Sequence, residues 1–205
     1  MQNISAVIWD FDGVIADTEP AQAQSYANLL RRRGISVETD FFTPYIGRTE
    51  SEIWEGIRET YDLRDSIESL RTDRLREFLD VTSAGVGVAW YVPPMFAFFA
   101  GARHTVVSSG NQEVVESLVV RWGLGARFDS IRAWVPGEPA SDKENTLAEE
   151  VARTGECIVV EDSTRYLRQA RRLGAHTIGV RHSLNGDGEI PCDLLLEMSA
   201  VHDGS

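Results

Sequence analysis

Short apolar runs and amphipathic stretches alternate along this chain, with one long interruption near the start. The first run, ending in Ile8-Trp9, climbs to Asp10 and Asp12, and Gly13 then lets the backbone turn. That pattern predicts a buried strand presenting carboxylates at its C-terminal end. Further strands are expected over residues 104–107, 130–133, 157–160, 177–180 and, more weakly, 193–196. Helix signals fill the gaps. One helix runs up to Trp122 and stops at Gly123, another spans 142–153 behind a Ser141/Glu144 capping box, and a third spans 164–173 and stops at Gly174. Pro93-Pro94 opens a short helix over 95–100. Its aromatics, Phe96, Phe98 and Phe99, suit either core packing or the wall of a pocket.

The interruption is helical. A helix is expected over 20–33, with Pro20 in its first turn and Gly34 after it. Thr49 and Glu52 form a capping box for a helix to about Tyr61, and Asp65 with Glu68 opens another to about Leu79. Arg31-Arg32-Arg33 reads either as a solvated helix C-terminus or as a phosphate clamp. No strand signal falls within this block, so it reads as a helical module inserted into a repeating βα framework. The repeats imply a parallel sheet with right-handed crossovers.

In such a sheet the C-terminal strand ends converge on one crevice. Asp10 and Asp12 follow the first strand, Ser108 the second, and Glu161 with Asp162 another. Taken alone, each has a plain structural use: an Asp-containing turn, a helix cap, a solvated turn. Together they make an oxygen-rich site suited to a hard cation such as Mg²⁺ rather than zinc. Lys143, in the first turn of a helix where the dipole disfavours cations, suggests an anion to meet.

Composition narrows the function. Thirty-two acidic residues against 20 basic give a net charge of −12, which lacks the basic footprint of a nucleic-acid binder. Cys157 and Cys192 belong to no CxxC or Cys/His cluster, pointing to a reducing, cytoplasmic setting. No signal peptide or membrane span is evident in the sequence.

The motifs resemble those of the haloacid dehalogenase superfamily of phosphohydrolases, in its capped phosphatase and beta-phosphoglucomutase-like branch. Asp10-Phe11-Asp12-Gly13-Val14 is similar to the family's first motif, Val106-Val107-Ser108-Ser109-Gly110 to its second, and Val159-Val160-Glu161-Asp162-Ser163 to its fourth. The resemblance implies a Rossmann-like α/β core, residues 1–17 and 84–205, carrying an inserted helical cap, residues 18–83. It also implies a phosphatase acting on a small phosphorylated metabolite. Asp10 would be the nucleophile and Asp12 the acid and base. Mg²⁺ would be held by Asp10, the Asp12 backbone carbonyl, Asp162 and Glu161. Ser108, Ser109 and Lys143 would bind phosphate, and Thr18, Glu19 and Arg48 would be the substrate contacts near the cap.

Two positions depart from the family pattern. Glu138 stands where the capped branch usually carries its lysine, which leaves Lys143 to fill the role, or leaves a phosphate-binding module with little turnover. Gln22 stands where the sugar-phosphate mutases keep a histidine, which favours hydrolysis over mutase activity.

Overall fold

Alternating apolar runs and amphipathic stretches bury the runs between helices and leave the helices' polar faces in water, which is how a parallel sheet forms. A computed structural model describes residues 4–38, 40–45, 50–135, 143–182, 185 and 188–198, without the side chains of 83 and 84. Strands β1 (Ala6–Trp9), β2 (Arg103–Asn111), β3 (Ser130–Trp134), β4 (Cys157–Glu161), β5 (His176–Arg181) and β6 (Leu194–Glu197) form one sheet in the order β3-β2-β1-β4-β5-β6. Every neighbouring pair is parallel. The strand order reverses at β1, the place where open α/β sheets open a ligand crevice. Trp9 lies opposite both Val106 and Val160, so the residues that follow these three positions along the chain start from one level.

The described helices are α1 (Glu19–Arg32), α2 (Glu50–Tyr61), α3 (Ile67–Gly85), α4 (Val92–Phe98), α5 (Gln112–Arg121), α6 (Lys143–Thr154) and α7 (Thr164–Arg172). The chain divides into two compact units, Met1–Asp17 with Gly87–Ser205, and Thr18–Val86. In the first unit Ala6, Ile8, Val107 and Val159 pack one sheet face against Leu147 and Val151 of α6 and Ala170 of α7. On the other face Trp9 meets Phe96, which also contacts Phe128. Fully burying a side chain of this size contributes roughly 1.5–3 kcal/mol. The second unit has its own core, with Tyr26, Leu29, Leu30, Phe42, Trp54, Ile57 and Leu70 buried together.

Four local features differ from the sequence expectation. Helix α3 is capped by Ser66, whose Oγ accepts the Ser69 N–H at 3.2 Å, because Asp65 instead pairs with Arg33 at 3.1 Å. That helix also continues to Gly85, past the expected end at Leu79, with Thr82 buried and its hydroxyl on the Phe78 carbonyl. Strand β2 runs on through Ser108 to Asn111 with a register shift against β3, where a turn was expected. Helix α4 starts at Val92 and takes both prolines into its first turn, where their missing N–H groups have no helical partner to lose.

The open alternatives also resolve. Arg33 bridges Asp65 and Asp73, and Arg32 meets Glu77, so the arginine run ties the second unit together. Phe96 is core, whereas Phe98 is 77% exposed. The capping residues Thr49, Ser141 and Asp142 lie outside the described residues, as do Glu138 and Arg48.

Candidate active site

The end of β1 sets the site. Asp10 is buried, and its N–H donates to the Val160 carbonyl at 2.9 Å, extending the sheet by one rung. Its Oδ1 accepts the Phe11 N–H at 2.7 Å, which fixes the carboxylate's rotation. The chain then turns tightly: the Gly13 N–H reaches the Ala16 carbonyl at 3.0 Å, and Gly13 adopts φ +70°, a conformation that strains any side chain. The turn leaves Asp12 partly exposed while Phe11 goes into the core, stacked on Trp122.

Strand β2 brings up Ser108, which is buried, with Oγ accepting the Gly110 N–H at 2.9 Å. A methyl group on Gly110 would lie 3.2 Å from both Asp12 Oδ2 and Ser108 Oγ, so this glycine keeps open the gap between the two side chains. Ser109 is exposed. The cap of α5 is Asn111, whose Oδ1 accepts the N–H groups of Glu113 and Val114, so Ser108 is not used as a cap.

From β4 come Glu161, buried, and Asp162, partly exposed. Glu161 Oε1 accepts the Ser163 N–H at 3.0 Å, leaving Oε2 for Lys143. Lys143, the first residue of α6, is buried, with Nζ 2.7 Å from Asp10 Oδ2, 2.8 Å from Glu161 Oε2 and 4.4 Å from the centre of the Tyr166 ring. Burial opposes the charge on Lys143, but the Asp10 and Glu161 carboxylates outweigh it and hold the ammonium protonated. Burial and the neighbouring Glu161 push the Asp10 carboxyl well above the usual carboxylate range against the pull of Lys143. Burial likewise raises Glu161, with Lys143 opposing and Asp162 adding to the shift.

Asp10, Glu161 and Asp162 from the sheet and Lys143 from the start of α6 thus form one cluster, and Asp12 and Ser108 both lie close to Gly110. Thr18 and Glu19 begin the second unit; Thr18 is buried at the N-cap of α1 and Glu19 is that helix's first residue. Two participants escaped the sequence reading. Tyr166 underlies the Lys143 ammonium, and His182 Nε2 lies 2.9 Å from Asp162 Oδ2. His182 carries the same signal as the other site residues, a polar side chain just beyond an apolar strand.

Ligand oxygens of Asp10, Glu161 and Asp162 all lie within 4.8 Å of one another. The donors are hard carboxylate oxygens, and one cation with metal–oxygen bonds of about 2 Å reaches such a set. Three carboxylates gather here, and Lys143 pairs with two of them, Asp10 and Glu161, whose burial and mutual repulsion it only partly offsets. The residues therefore fit a divalent metal ion.

Comparison with known proteins agrees with this architecture. The family model described as haloacid dehalogenase-like hydrolase matches residues 7–180. Suppressor of quenching 1, a chloroplastic protein of Arabidopsis thaliana, is 24% identical over 192 residues; these cover 89% of this chain, which spans only 18% of that relative. Fructose-1-phosphate phosphatase YqaB of Escherichia coli is 24% identical, covering 88% of this chain and 98% of its own. The phosphorylated carbohydrates phosphatase of Thermotoga maritima is 29% identical, covering 97% and 93% respectively. In fold, the chain is similar to the crystal structure of CbbY from Rhodobacter sphaeroides in complex with phosphate, with a TM-score of 0.76 at 21% identity over 94% of this chain and 93% of that one. The match to the family model spans most of the sequence, from the first strand to the fifth, and the chain belongs to the haloacid dehalogenase-like hydrolase family.

Proposed function

We propose that this protein is a Mg²⁺-dependent phosphatase that hydrolyses a small phosphorylated metabolite through an aspartyl-phosphate. The observation that carries this reading is the Asp10 carboxylate. It is fixed by the Phe11 N–H on one oxygen and the Lys143 ammonium on the other, within a cluster that includes Glu161 and Asp162.

An Asp10 oxygen attacks phosphorus, and the bond from phosphorus to the leaving oxygen breaks as Asp12 gives that oxygen a proton. Asp12, now a carboxylate, takes a proton from water, which attacks the phosphorus of the acyl phosphate, releasing inorganic phosphate and restoring Asp10. Asp12 suits proton transfer because it is partly exposed, beside the gap kept open by Gly110. Ser108 Oγ and Lys143 supply hydrogen bonds and charge to the phosphoryl oxygens, with Ser109 beside them, and positioning of this kind is most of what phosphoryl transfer needs. Asp10, the Asp12 backbone carbonyl, Glu161 and Asp162 would hold the Mg²⁺. When bound, the ion neutralises the repulsion between carboxylate and phosphate.

The relatives named for fructose 1-phosphate and phosphorylated carbohydrates make sugar phosphates the first substrates to test. Thr18, Glu19 and Arg48 are the substrate contacts on the helical unit, which acts as a cap. Gln22, in place of the mutase histidine, favours hydrolysis over isomerisation. Cys157 and Cys192 are free thiols, in keeping with a reducing cytoplasm.

The test is release of inorganic phosphate from a panel of sugar phosphates and other phosphomonoesters, with Mg²⁺ and with chelator, for wild type and Asp10→Asn. Metal-dependent release that disappears in Asp10→Asn is expected. Absence of turnover across the panel overturns the phosphatase reading in favour of a phosphate-binding module, and conversion of one sugar phosphate into its isomer overturns it in favour of a mutase.

A further inference from the structure

We infer that His182 is a positioning residue for the metal site: its Nε2–H holds one oxygen of Asp162 and so aims the other at the cation. The inference rests on the metal-site reading above and extends it by one residue.

His182 lies one residue beyond β5, with its side chain 1% exposed, and its Nε2 is 2.9 Å from Asp162 Oδ2. A carboxylate only accepts hydrogen bonds, so Nε2 carries the hydrogen. Two bonds fix the backbone that bears the ring. The His182 N–H donates to Asn185 Oδ1 at 3.1 Å, and Asn185 Nδ2 donates to the Val180 carbonyl at 2.8 Å. The ring and the carboxylate also press against the first motif. A methyl group on Gly13 would lie 2.9 Å from His182 Nε2 and 3.0 Å from Asp162 Oδ2.

Asp162 needs such a partner more than Asp10 or Glu161 does. Asp10 takes a backbone N–H on one oxygen and Lys143 on the other, and Glu161 takes the Ser163 N–H and Lys143. Asp162 is the more exposed of the three, with 18% of its side chain accessible. With Oδ2 held by a buried donor, the carboxylate of Asp162 cannot turn freely beside Asp10 and Glu161. Loss of a partner that orients a metal-binding side chain typically costs about 10–100-fold in metal affinity.

The experiment measures Mg²⁺ binding by titration calorimetry on the substrate-free protein, for wild type, Asp162→Asn, His182→Phe and His182→Gln. Phenylalanine keeps a ring of similar volume without a donor, whereas glutamine places an amide N–H near the position of Nε2. His182→Phe is expected to weaken Mg²⁺ binding about 10–100-fold, with His182→Gln recovering most of the loss. A residue that served only as packing would give the opposite order. Unchanged binding in His182→Phe, or no recovery in His182→Gln, overturns the inference and leaves the metal site standing. No Mg²⁺ binding by wild type, or none lost in Asp162→Asn, overturns the metal site and the inference with it. Should His182→Phe not fold, Gly13→Ala crowds the same hydrogen bond. It is expected to weaken Mg²⁺ binding, and unchanged binding in that variant overturns the inference.

Discussion

Lys143 Nζ stands 2.7 Å from Asp10 Oδ2 with almost no access to water, at the N-terminus of a helix whose dipole disfavours a cation there by about 0.3–1 kcal/mol. Two carboxylates and the face of Tyr166 offset that cost, and they do so where a phosphoryl group would approach Asp10.

Lys143→Met is therefore expected to lower kcat on the order of 10²–10³-fold, the usual loss for removing one preorganised charge or donor from a transition state. Without metal, the same change strands two buried carboxylates and should destabilise the fold by about 3 kcal/mol. Lys143→Arg keeps the charge but brings a wider, planar head and should recover only part of the rate. Steady-state kinetics and thermal unfolding in chelator measure the two effects separately.

Asp10→Asn should remove turnover and yet stabilise the metal-free protein. Burial, and Glu161 beside it, raise the Asp10 carboxyl well above its ordinary range. A raised folded-state value adds stability only below the unfolded value, so ionised Asp10 works against the fold at neutral pH. Asparagine does not ionise. A rise in Tm in chelator is expected, since Glu161 still pairs with Lys143 in the variant. Mg²⁺ at 100 times its Kd stabilises the wild type by about 2.7 kcal/mol, and this gain should shrink in the variant. A fall in the chelator Tm of Asp10→Asn would contradict the account.

Gly110→Ala tests the gap between Asp12 and Ser108. The added methyl lies 3.2 Å from an oxygen of each, so one or both must move by a few tenths of an ångström. Displacements of this kind in a positioned site are expected to lower kcat on the order of 10-fold with little change in Tm. If kcat stays at the wild-type value, proton transfer does not depend on this geometry.

How much of this was readable beforehand depended on the range of each signal. The switch from apolar to polar at Trp9-Asp10, Val107-Ser108 and Val160-Glu161 is local, so the strands and the residues at their ends could be located from the sequence. The His182–Asp162 hydrogen bond was not legible, because it joins loops 20 residues apart that only the β4–β5 pairing brings together. Ser66 displaced Asp65 as the cap of α3 because Arg33, 32 residues earlier, takes the aspartate. The extension of β2 to Asn111 follows from its pairing with Trp134, which the Ser-Ser-Gly sequence disguises as a turn.

Beneath the site, His104 should make stability depend on pH. Trp9 Nε1–H donates to His104 Nδ1 at 3.1 Å, and an indole nitrogen is only a donor, so Nδ1 carries no proton. The hydrogen is on Nε2, 3.1 Å from the Phe99 carbonyl, and the ring is neutral. Protonating Nδ1 would set two N–H groups against each other inside the core. Burial lowers the His104 value, with the Phe99 carbonyl and Asp129 opposing the shift. The folded value lies below the unfolded value of about 6.5, so the unfolded chain binds more protons as pH falls. The contribution is complete above the unfolded value and is lost as pH drops towards and through the folded one. Urea midpoints at pH 7.5 and pH 5.5 should show wild type losing stability at the lower pH, and His104→Phe should lose less over the same interval while being weaker at pH 7.5 for want of two hydrogen bonds. An equal loss in both proteins would assign the acid sensitivity to other groups.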